Sequence, residues 1–528
     1  MDTLEPHPTS EQESQASEST ATLPTESHPW LVATVTAVLT VASALATGGL
    51  ASVVLEVSGP LAAVGSRVID HAPTAVREWA IDVFGTADKA ALQVGTVVIL
   101  LGLGTVVARF ASRHRALVVI APAVLAAVGV VSARSSTEGA GASIPAVVAG
   151  LTAAVVLGWL TSPTRGAMTA EPFDRRTFLV RAAVVSAGAA GVAATGAVIG
   201  GERDREIATT ARQLRLPAPT DTVPPVPDTA SIGHGVEPFL TPNEDFYRID
   251  TALVPPRVDL DSWRLTIGGM VDHRLELDFE SLLDRGVVER VVTLACVSNE
   301  IGGPYVGNAK WLGVPLASLL EEAGVDPAAT QVASRSVDGW TCGFPTEVAL
   351  DGRDALVAVG MNGEPLPVAH GFPVRLVVPG LYGYVSATKW LSEIELTTFE
   401  DFEGYWIPRG WAVEAPVKTA SRIDVPRRNE SVPAGPVAIA GVAWAQHRGI
   451  AKVEVRVDDG DWEEAELATD VSVDAWRQWV HVWDASPGEH RLAVRATDGT
   501  GETQPERRTR PIPDGAQGWH YIDVQVGD

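Results

Sequence analysis

The pattern of hydrophobic and polar positions divides the chain near residue 200 into two unlike parts. Before this point, long runs of Val, Ala, Leu and Gly contain almost no charged residue. They lie at about 30–53, 91–109, 117–133, 143–160 and 178–200. A membrane-crossing helix needs about 20 apolar residues. The pattern therefore predicts five spans, and the scarcity of charge argues against the alternative, buried helices of a soluble domain.

Basic residues in the short connections predict how these spans are oriented. They are Arg109, Arg113 and Arg115 after the second run, and Arg165, Arg175, Arg176 and Arg181 around the start of the fifth. Lys and Arg next to a span are retained on the cytoplasmic side. Both connections are therefore predicted to be cytoplasmic, and five spans from a cytoplasmic start place the chain after residue 200 outside.

The residues just before the fifth run contain a possible export signal. The run 174–179, Asp-Arg-Arg-Thr-Phe-Leu, resembles the twin-arginine motif, which directs folded proteins across the membrane. The alternative is that the two arginines only mark the cytoplasmic end of a helix. No A-x-A cleavage site follows, so the segment is expected to remain as an anchor.

The other segments have compositions that predict separate domains. Residues 1–29 are rich in Ser, Thr, Glu and Pro, which is typical of a disordered acidic tail. A Pro-rich stretch at 201–236 predicts a linker. Residues 237–412 mix strand-like and helix-like runs, which predicts an α+β domain. Alternating strands separated by turns over 413–528 predict an all-β sandwich.

Charge and cysteine content exclude several function classes. The formal net charge is −25, and the chain after residue 200 holds 29 basic against 51 acidic residues. Without a basic stripe, we expect no nucleic-acid partner. Two cysteines allow neither a disulfide framework nor a four-cysteine metal site within one chain. One disulfide remains possible.

Six motifs in the second part of the chain resemble the sulfite oxidase family of molybdenum enzymes. They are TPNEDFYRID (241–250), DSWRLTIGGMV (261–271), TLACVSNEIGG (293–303), GNAKWLGVPLASLLEEAGV (307–325), HGFPVRLVVPGLYGYVSATKWL (370–391) and KTASRIDVP (418–426). The resemblance implies a molybdopterin-binding catalytic domain over 237–412, followed by an immunoglobulin-like domain of the type that dimerises in some members.

The resemblance also implies the metal ligand. In this family one cysteine binds molybdenum together with the dithiolene of a pterin, and Cys296 occupies its position. A soft thiolate suits a metal that has sulfur ligands. The alternatives are a buried free cysteine and a disulfide with Cys342.

Further cofactor-binding residues follow from the first and fifth motifs. The resemblance assigns this role to Asn243, Tyr247, Arg248, His370, Arg375, Ser386, Thr388 and Lys389. Arg375 and Lys389 are expected to pair with the pterin phosphate, and Ser386 and Thr388 to add hydroxyl donors.

The chain departs from the family pattern around the substrate. Glu300 and Ile301 occupy positions where the family commonly has two arginines. Lys310 replaces the usual arginine, and Trp340 replaces the usual tyrosine. Cys296, Lys310 and Trp340 are the predicted catalytic residues. Fewer cations make a sulfite-like oxyanion a weaker expectation, so a sulfoxide is a rival substrate. The alternative from another class is a membrane-tethered binding or adhesion protein without cofactor.

The predicted spans bear on electron transfer. His28, His71 and His114 lie outside them, so no histidine pair is available inside the spans for a haem. Electrons are therefore expected to pass to or from a separate cytochrome or quinone-linked protein.

Export gives the first testable prediction. Replacing Arg175 and Arg176 with lysine should leave the large domain in the cytoplasm, because twin-arginine recognition depends on the guanidinium groups and not on charge alone. Protease treatment of intact spheroplasts measures the location. Digestion of the double variant from outside would contradict the use of this signal.

Overall fold

The computed structural model describes residues 29–73, 76, 79–80, 83–84, 88–133, 140–162, 175–252 and 254–527. The predicted acidic tail, apart from Pro29, lies outside these residues. So do Arg165 and the aspartate that opens the possible export signal.

The described part of the N-terminal region is helical. Its helices are α1 (Pro29–Leu55), α2 (Pro60–His71), α3 (Asp88–Ala111), α4 (Leu117–Ala133), α5 (Ile144–Thr161) and α6 (Arg175–Gln213). Among the described residues, α1, α3, α5 and α6 are long and apolar enough to cross a membrane, while α4 is apolar but has 17 residues. The five predicted apolar helices are therefore confirmed as helices.

Small residues allow two of these helices to approach closely. A Cβ on Gly150 of α5 would lie 2.6 Å from the Cβ of Ala126 on α4, and one on Gly129 would lie 2.7 Å from that of Ala146. Glycine at both positions therefore lets the α4 and α5 backbones pack against each other.

Helix α6 is longer than a membrane span and corrects the predicted linker. Its 39 residues correspond to about 58 Å, almost twice the thickness of a bilayer core. The helix ends at Gln213, so the start of the segment predicted as a Pro-rich linker is helical. Ala211 in its last turn is buried with Phe246 and Trp311 of the following domain.

The domain that follows contains two five-stranded sheets. Its strands are β1 (Leu265–Gly269), β2 (Leu275–Leu277), β3 (Val288–Ala295), β4 (Val306–Pro315), β5 (Gln331–Ser336), β6 (Thr341–Pro345), β7 (Leu356–Met361), β8 (Glu364–Pro365), β9 (Arg375–Val377) and β10 (Leu391–Thr397). One sheet has the order β3-β4-β7-β8, with β9 also paired to β7, and the other has the order β2-β1-β10-β5-β6. The predicted mixture of strands and helices is found here.

Short helices connect these strands. They are α7 (Phe279–Leu283), α8 (Leu316–Ala323), α9 (Thr346–Leu350) and α10 (Gly383–Ser386), and 3₁₀ turns lie at Asp228–Ala230, Val368–His370 and Ile407–Arg409. A further 3₁₀ turn, Ala140–Ser143, precedes α5 in the N-terminal region. Asp278 caps α7 by accepting a hydrogen bond from the Ser281 N–H.

Strand β3 has both faces buried, and they serve different cores. Val292 and Leu294 pack with Trp311 and α6, whereas Val291 and Ala295 pack in the larger core that includes the second sheet. Side chains alternate between the two faces of a strand. Cys296, one residue beyond β3, follows the register of Val292 and Leu294.

The last domain is built from two further sheets. Its strands are β11 (Ala420–Val425), β12 (Ser431–Pro433), β13 (Gly435–Trp444), β14 (Ile450–Val457), β15 (Glu463–Glu464), β16 (Glu466–Leu467), β17 (Arg477–Ala485), β18 (Gly488–Asp498) and β19 (His520–Gly527). The sheet orders are β11-β13-β17-β16 and β12-β19-β18-β14-β15. Both sheets contribute to one core around Trp479, which fits the predicted β-rich domain.

The two large domains meet along β3. The Thr293 hydroxyl accepts the Trp476 N–H at 2.7 Å, and the Gln446 side chain donates to the Thr293 carbonyl at 2.8 Å. His520 packs so tightly on Gly302 that a Cβ there would lie 2.2 Å from its Nε2. The loop that carries Cys296 is therefore held from the side of the last domain.

His520 generates a prediction about acid stability. Its Nδ1 accepts the Ile423 N–H at 3.0 Å, and burial, with Arg428, Arg422 and Arg508 nearby, lowers its pKa to about 4. Below pH 6.5 His520 binds a proton in the unfolded chain, whereas in the folded chain it binds one only below about pH 4. Folding stability should therefore fall by about 2 kcal/mol between pH 6.5 and 4.5 on account of this group.

The test compares wild type with His520→Asn, whose side-chain oxygen can accept the same N–H but does not titrate. Unfolding of the detergent-purified chain, followed by tryptophan fluorescence across this pH range, should show a shallower loss in the variant. Equal pH dependence in both proteins would contradict the assignment.

Candidate active site

Cys296 lies where β3 ends, at the junction of the two domains. Its N–H donates to the Tyr305 carbonyl at 2.9 Å, which fixes the start of the loop. Burial raises the pKa of the thiol, whereas hydrogen bonds from Ser298 and the charge of Lys389 oppose that rise. The site therefore brings stabilising donors and a cation to a desolvated thiol.

The two cysteines are both free, so the disulfide considered from the sequence is absent. Cys342 lies on β6 and is 1% exposed. Its Sγ contacts the hydroxyls of Thr388 at 3.1 Å and Ser334 at 3.3 Å. Burial raises its pKa to about 11, so it is a neutral thiol within a small polar network.

The first predicted motif folds over the site through its backbone and through Tyr247. The Asn243 carbonyl accepts Nε2–H of His370 at 2.8 Å, and the Asn243 side chain accepts the Asn362 amide at 2.9 Å. The Tyr247 ring stacks on Phe246 at 5.3 Å. Its hydroxyl lies within the electrostatic influence of Cys296 and Arg375, and burial raises its pKa.

His370 is neutral in this environment. Burial and the charge of Arg375 lower its pKa to about 4, and its ring packs edge-on against Phe246 at 5.7 Å. Its Nε2–H is already used by Asn243. His370 therefore holds the first motif in place through Asn243, and its Nδ1 is the other polar atom of the ring.

Arg375 at the start of β9 is a buried cation that has no carboxylate partner within 4 Å among the described residues. The side chain is 5% exposed, and its guanidinium lies over the Trp311 ring at 5.1 Å. Its hydrogen bonds are to the carbonyls of His370 (3.1 Å) and Leu376 (3.3 Å). Burial lowers its pKa to about 10, which leaves it charged at neutral pH.

A glycine lets Arg375 and Lys389 come together. Gly371 has φ of +114°, and a Cβ there would lie 3.1 Å from the Cβ atoms of both Arg375 and Lys389. Only glycine adopts this backbone conformation without strain and leaves room for both side chains. Two cations are thus packed side by side, an arrangement that favours a bound anion.

Lys389 is partnered by a carboxylate that the sequence reasoning missed. Its Nζ donates to Asp250 at 2.9 Å, and Asp250 also accepts from Arg248 at 2.9 Å and Lys89 at 3.1 Å. Burial works against the Asp250 carboxylate, yet the charges of Lys389, Lys89 and Arg248 outweigh it and lower its pKa to about 2. Burial lowers the pKa of Lys389 to about 8.

A signal for Asp250 was present in the sequence. It is the last residue of the first motif and stands two positions after Arg248. An acidic residue inside a segment predicted to bind an anion is a candidate for orienting the neighbouring cations.

The hydroxyls of Ser386 and Thr388 are bonded elsewhere in the protein. Ser386 donates to the Tyr382 carbonyl at 3.0 Å, and Thr388 contacts Ser334 at 2.7 Å in the network around Cys342. Both residues are completely buried. Their role as hydroxyl donors to a cofactor stays a prediction, and what they visibly do is fix the segment that leads to Lys389.

Two predicted catalytic side chains are not joined to this cluster by any contact within the described residues. The Lys310 ammonium on β4 pairs with the Glu289 carboxylate at 2.7 Å. Lys310 lies opposite Val291 in the sheet, several residues before the end of β3 that leads to Cys296. Trp340 lies half-buried in the turn after β5, which is tied to Trp390 through the Val337 N–H. Their catalytic roles stay predictions.

The residues that do converge fit a molybdopterin. Arg375, Lys389, Arg248 and Lys89 carry four positive charges against the one carboxylate of Asp250. A positive excess of this size, with Arg375 and Lys389 strongly buried, suits a phosphorylated ligand. Among the described residues no three His, Cys, Asp or Glu side chains converge. The dithiolene of a pterin would supply further sulfur ligands to a metal held by Cys296.

Comparison with protein families agrees with this geometry. Residues 252–406 match the oxidoreductase molybdopterin binding domain, and residues 411–527 match the Mo-co oxidoreductase dimerisation domain. The uncharacterized oxidoreductase YuiH of Bacillus subtilis is 35% identical over 176 residues, which cover 33% of this chain and 85% of that protein. The chain belongs to the sulfite oxidase family of molybdopterin-dependent oxidoreductases. The family resemblance drawn from the motifs is thereby confirmed, as is the molybdopterin cofactor.

Two further similarities each cover more than half of the chain. Rat mitochondrial sulfite oxidase is 30% identical over 346 residues, covering 55% of this chain. The match spans 62% of that sulfite oxidase, which is less than two thirds of its length. The crystal structure of the sulfane dehydrogenase SoxCD from Paracoccus pantotrophus is 25% identical, with a TM-score of 0.49, over 56% of this chain and 85% of that one.

The contrast between the two cysteines gives a prediction. Cys296→Ser should abolish turnover and leave the fold nearly unchanged, because a hydroxyl is a poor replacement for a thiolate at a soft metal. Cys342→Ser should be tolerated, because its neighbours are hydroxyls that a serine can also contact. Activity assays and melting curves of both variants provide the measurement.

Each substitution is expected to change folding stability by roughly 1 kcal/mol or less. Turnover by Cys296→Ser in proportion to folded protein would remove Cys296 from the metal. Loss of activity in Cys342→Ser without loss of folding would contradict its purely structural role.

Proposed function

We propose that this protein is a membrane-anchored enzyme that catalyses two-electron oxo transfer on a small substrate. The substrate is a sulfite-like oxyanion or a sulfoxide. When bound, the molybdopterin supplies the metal at which an oxygen atom and two electrons are exchanged with the substrate. The observation that carries the proposal is Arg375, a buried cation without a carboxylate partner in the described chain, whose charge acts on Tyr247 together with that of Cys296.

The site residues take distinct roles in this proposal. Cys296 provides the thiolate ligand, and Ser298 and Lys389 favour that thiolate. Arg375 and Lys389 hold the anionic part of the cofactor from the two sides of Gly371. The neutral His370 and Asn243 keep the first motif in place over them.

Exposure distinguishes the cation that meets the substrate. The Arg248 side chain is 41% exposed, whereas that of Lys389 is 11% exposed. Arg248 is therefore the cation that an incoming anion meets first. This favours the oxyanion over the sulfoxide, although the arginine pair expected after the metal cysteine is replaced by Glu300 and Ile301.

The arrangement of the helices supports a position on the outer face of a membrane. Contacts from the large domains reach one end of the bundle: Asp70 at the end of α2, Lys89 at the start of α3 and Asp204 in the outer part of α6. Arg109 lies in the last turn of α3, at the opposite end, and Arg113 follows in the turn after that helix. Because basic connections are retained on the cytoplasmic side, this arrangement supports a position of the catalytic domain outside the membrane.

Two partners complete the proposal. The last domain is an immunoglobulin-like sandwich, and its match to a dimerisation domain supports a homodimer. A separate electron carrier, a cytochrome or a quinone-linked protein, exchanges electrons with the site. The described apolar helices α1, α3, α4 and α5 contain no histidine, so they offer no ligands for a haem.

The test measures molybdenum and pterin in the full chain purified in detergent. Two activity assays accompany it: oxidation of sulfite with ferricyanide as electron acceptor, and reduction of dimethyl sulfoxide with a reduced dye as electron donor. Wild type should contain about one molybdenum per chain and turn over sulfite. Arg375→Ala should weaken pterin binding about ten- to a hundredfold, because it removes a charge-assisted contact of roughly 1.5–3 kcal/mol.

Arg335→Ala is the matched control, since that arginine pairs with Glu393 at 3.0 Å on the second sheet. Its cofactor content should equal that of wild type. Folded wild-type protein without molybdenum or pterin would contradict the proposal, and turnover of the sulfoxide alone would exclude the oxyanion.

A further inference from the structure

Lys89 connects the membrane bundle directly to the cofactor site. It lies in the first turn of α3, and its ammonium donates to the Asp250 carboxylate at 3.1 Å. It also donates to the backbone carbonyls of Asp250 at 2.5 Å and Ala252 at 2.9 Å. Three acceptors from one short segment of the catalytic domain thus surround a single side chain of the bundle.

This position is unfavourable for a lysine if the helix is considered alone. The N-terminus of a helix carries a partial positive charge, so a cation in the first turn is destabilising. A lysine at the outer end of a span also opposes the usual distribution of basic residues. The contacts with residues 250–252 offset this disadvantage.

Asp250 links Lys89 to two cations of the site. Its side chain is 5% exposed, and one oxygen, Oδ2, accepts from both Lys389 and Arg248, while Oδ1 accepts from Lys89. The carboxylate cannot rotate without lengthening at least one of these ion pairs. Lys89 thereby fixes the orientation of the group that holds two cations of the site.

We propose that Lys89 is a positioning residue of the active site, acting through Asp250 on Lys389 and Arg248. The membrane helix is then a structural part of the cofactor site and more than a tether. This inference rests on the proposed function, because it assigns Lys389 and Arg248 to cofactor and substrate. It implies that the catalytic domain has its complete site only when it is docked on the bundle.

The experiment uses the full chain in detergent and compares Lys89→Met with Asp70→Ala. Asp70 accepts from Tyr405 at 2.5 Å and Arg409 at 3.1 Å, so its loss also breaks a contact between bundle and domain, but away from Asp250. Lys89→Met should lower molybdenum and pterin per chain at least threefold, and Asp70→Ala should leave both within about a third of wild type. Lys89→Arg should restore most of the content.

A second measurement does not depend on the cofactor. Hydrogen–deuterium exchange of the segment 244–252 in chain prepared without molybdenum should be at least tenfold faster in Lys89→Met and unchanged in Asp70→Ala. A general loosening of the bundle would instead accelerate exchange in both variants.

The outcomes separate the two proposals. Wild type without molybdenum or pterin contradicts the proposed function. Wild type loaded with cofactor, with Lys89→Met equal to it in both content and exchange, overturns the role of Lys89 alone. Equal losses in Lys89→Met and Asp70→Ala overturn it as well, because docking in general would then be the cause.

Discussion

The burial of the Arg375 guanidinium is the constraint on which the rest of the site depends. An arginine keeps its charge in a protein interior, and a desolvated charge is unfavourable unless a partner compensates it. Here the compensation from the described chain is two carbonyls and the face of Trp311. In the proposed function, a phosphorylated cofactor provides the anionic partner that these neutral groups cannot provide.

The residues around Arg375 allow several cations to lie close together in a protein that is acidic overall. Gly371 removes the side chain that would separate Arg375 from Lys389, and Asp250 neutralises only part of the resulting charge. The overall net charge of −25 makes this cluster a local exception. We expect such an exception to concentrate anion binding at one place, because acidic surroundings repel anions elsewhere on the surface.

Strand β3 links that cluster to the remaining parts of the molecule. One of its faces packs on Trp311 and on α6, and its other face joins the core shared with the last domain, where Thr293 accepts the Trp476 N–H. The position of Cys296 is therefore set by three parts of the chain at once. Close packing on both faces of a strand leaves it little freedom to shift.

The sequence by itself determined the features that depend on local pattern. Apolar runs predicted five helices, and the resemblance of the motifs that contain Cys296, Arg375 and Lys389 to the sulfite oxidase family implied the cofactor, since each motif is a contiguous segment. Such patterns can be recognised in the linear sequence because each involves residues that are close together along the chain.

The tertiary structure alone decided which of these residues act together. It diverted the Thr388 hydroxyl to Ser334 and Cys342 on neighbouring strands, and it paired Lys310 with Glu289 across β3 and β4. It also brought Lys89 to Asp250, 161 residues further along the chain. No local pattern encodes such a contact, because it exists only after helix α3 and the catalytic domain have packed against each other.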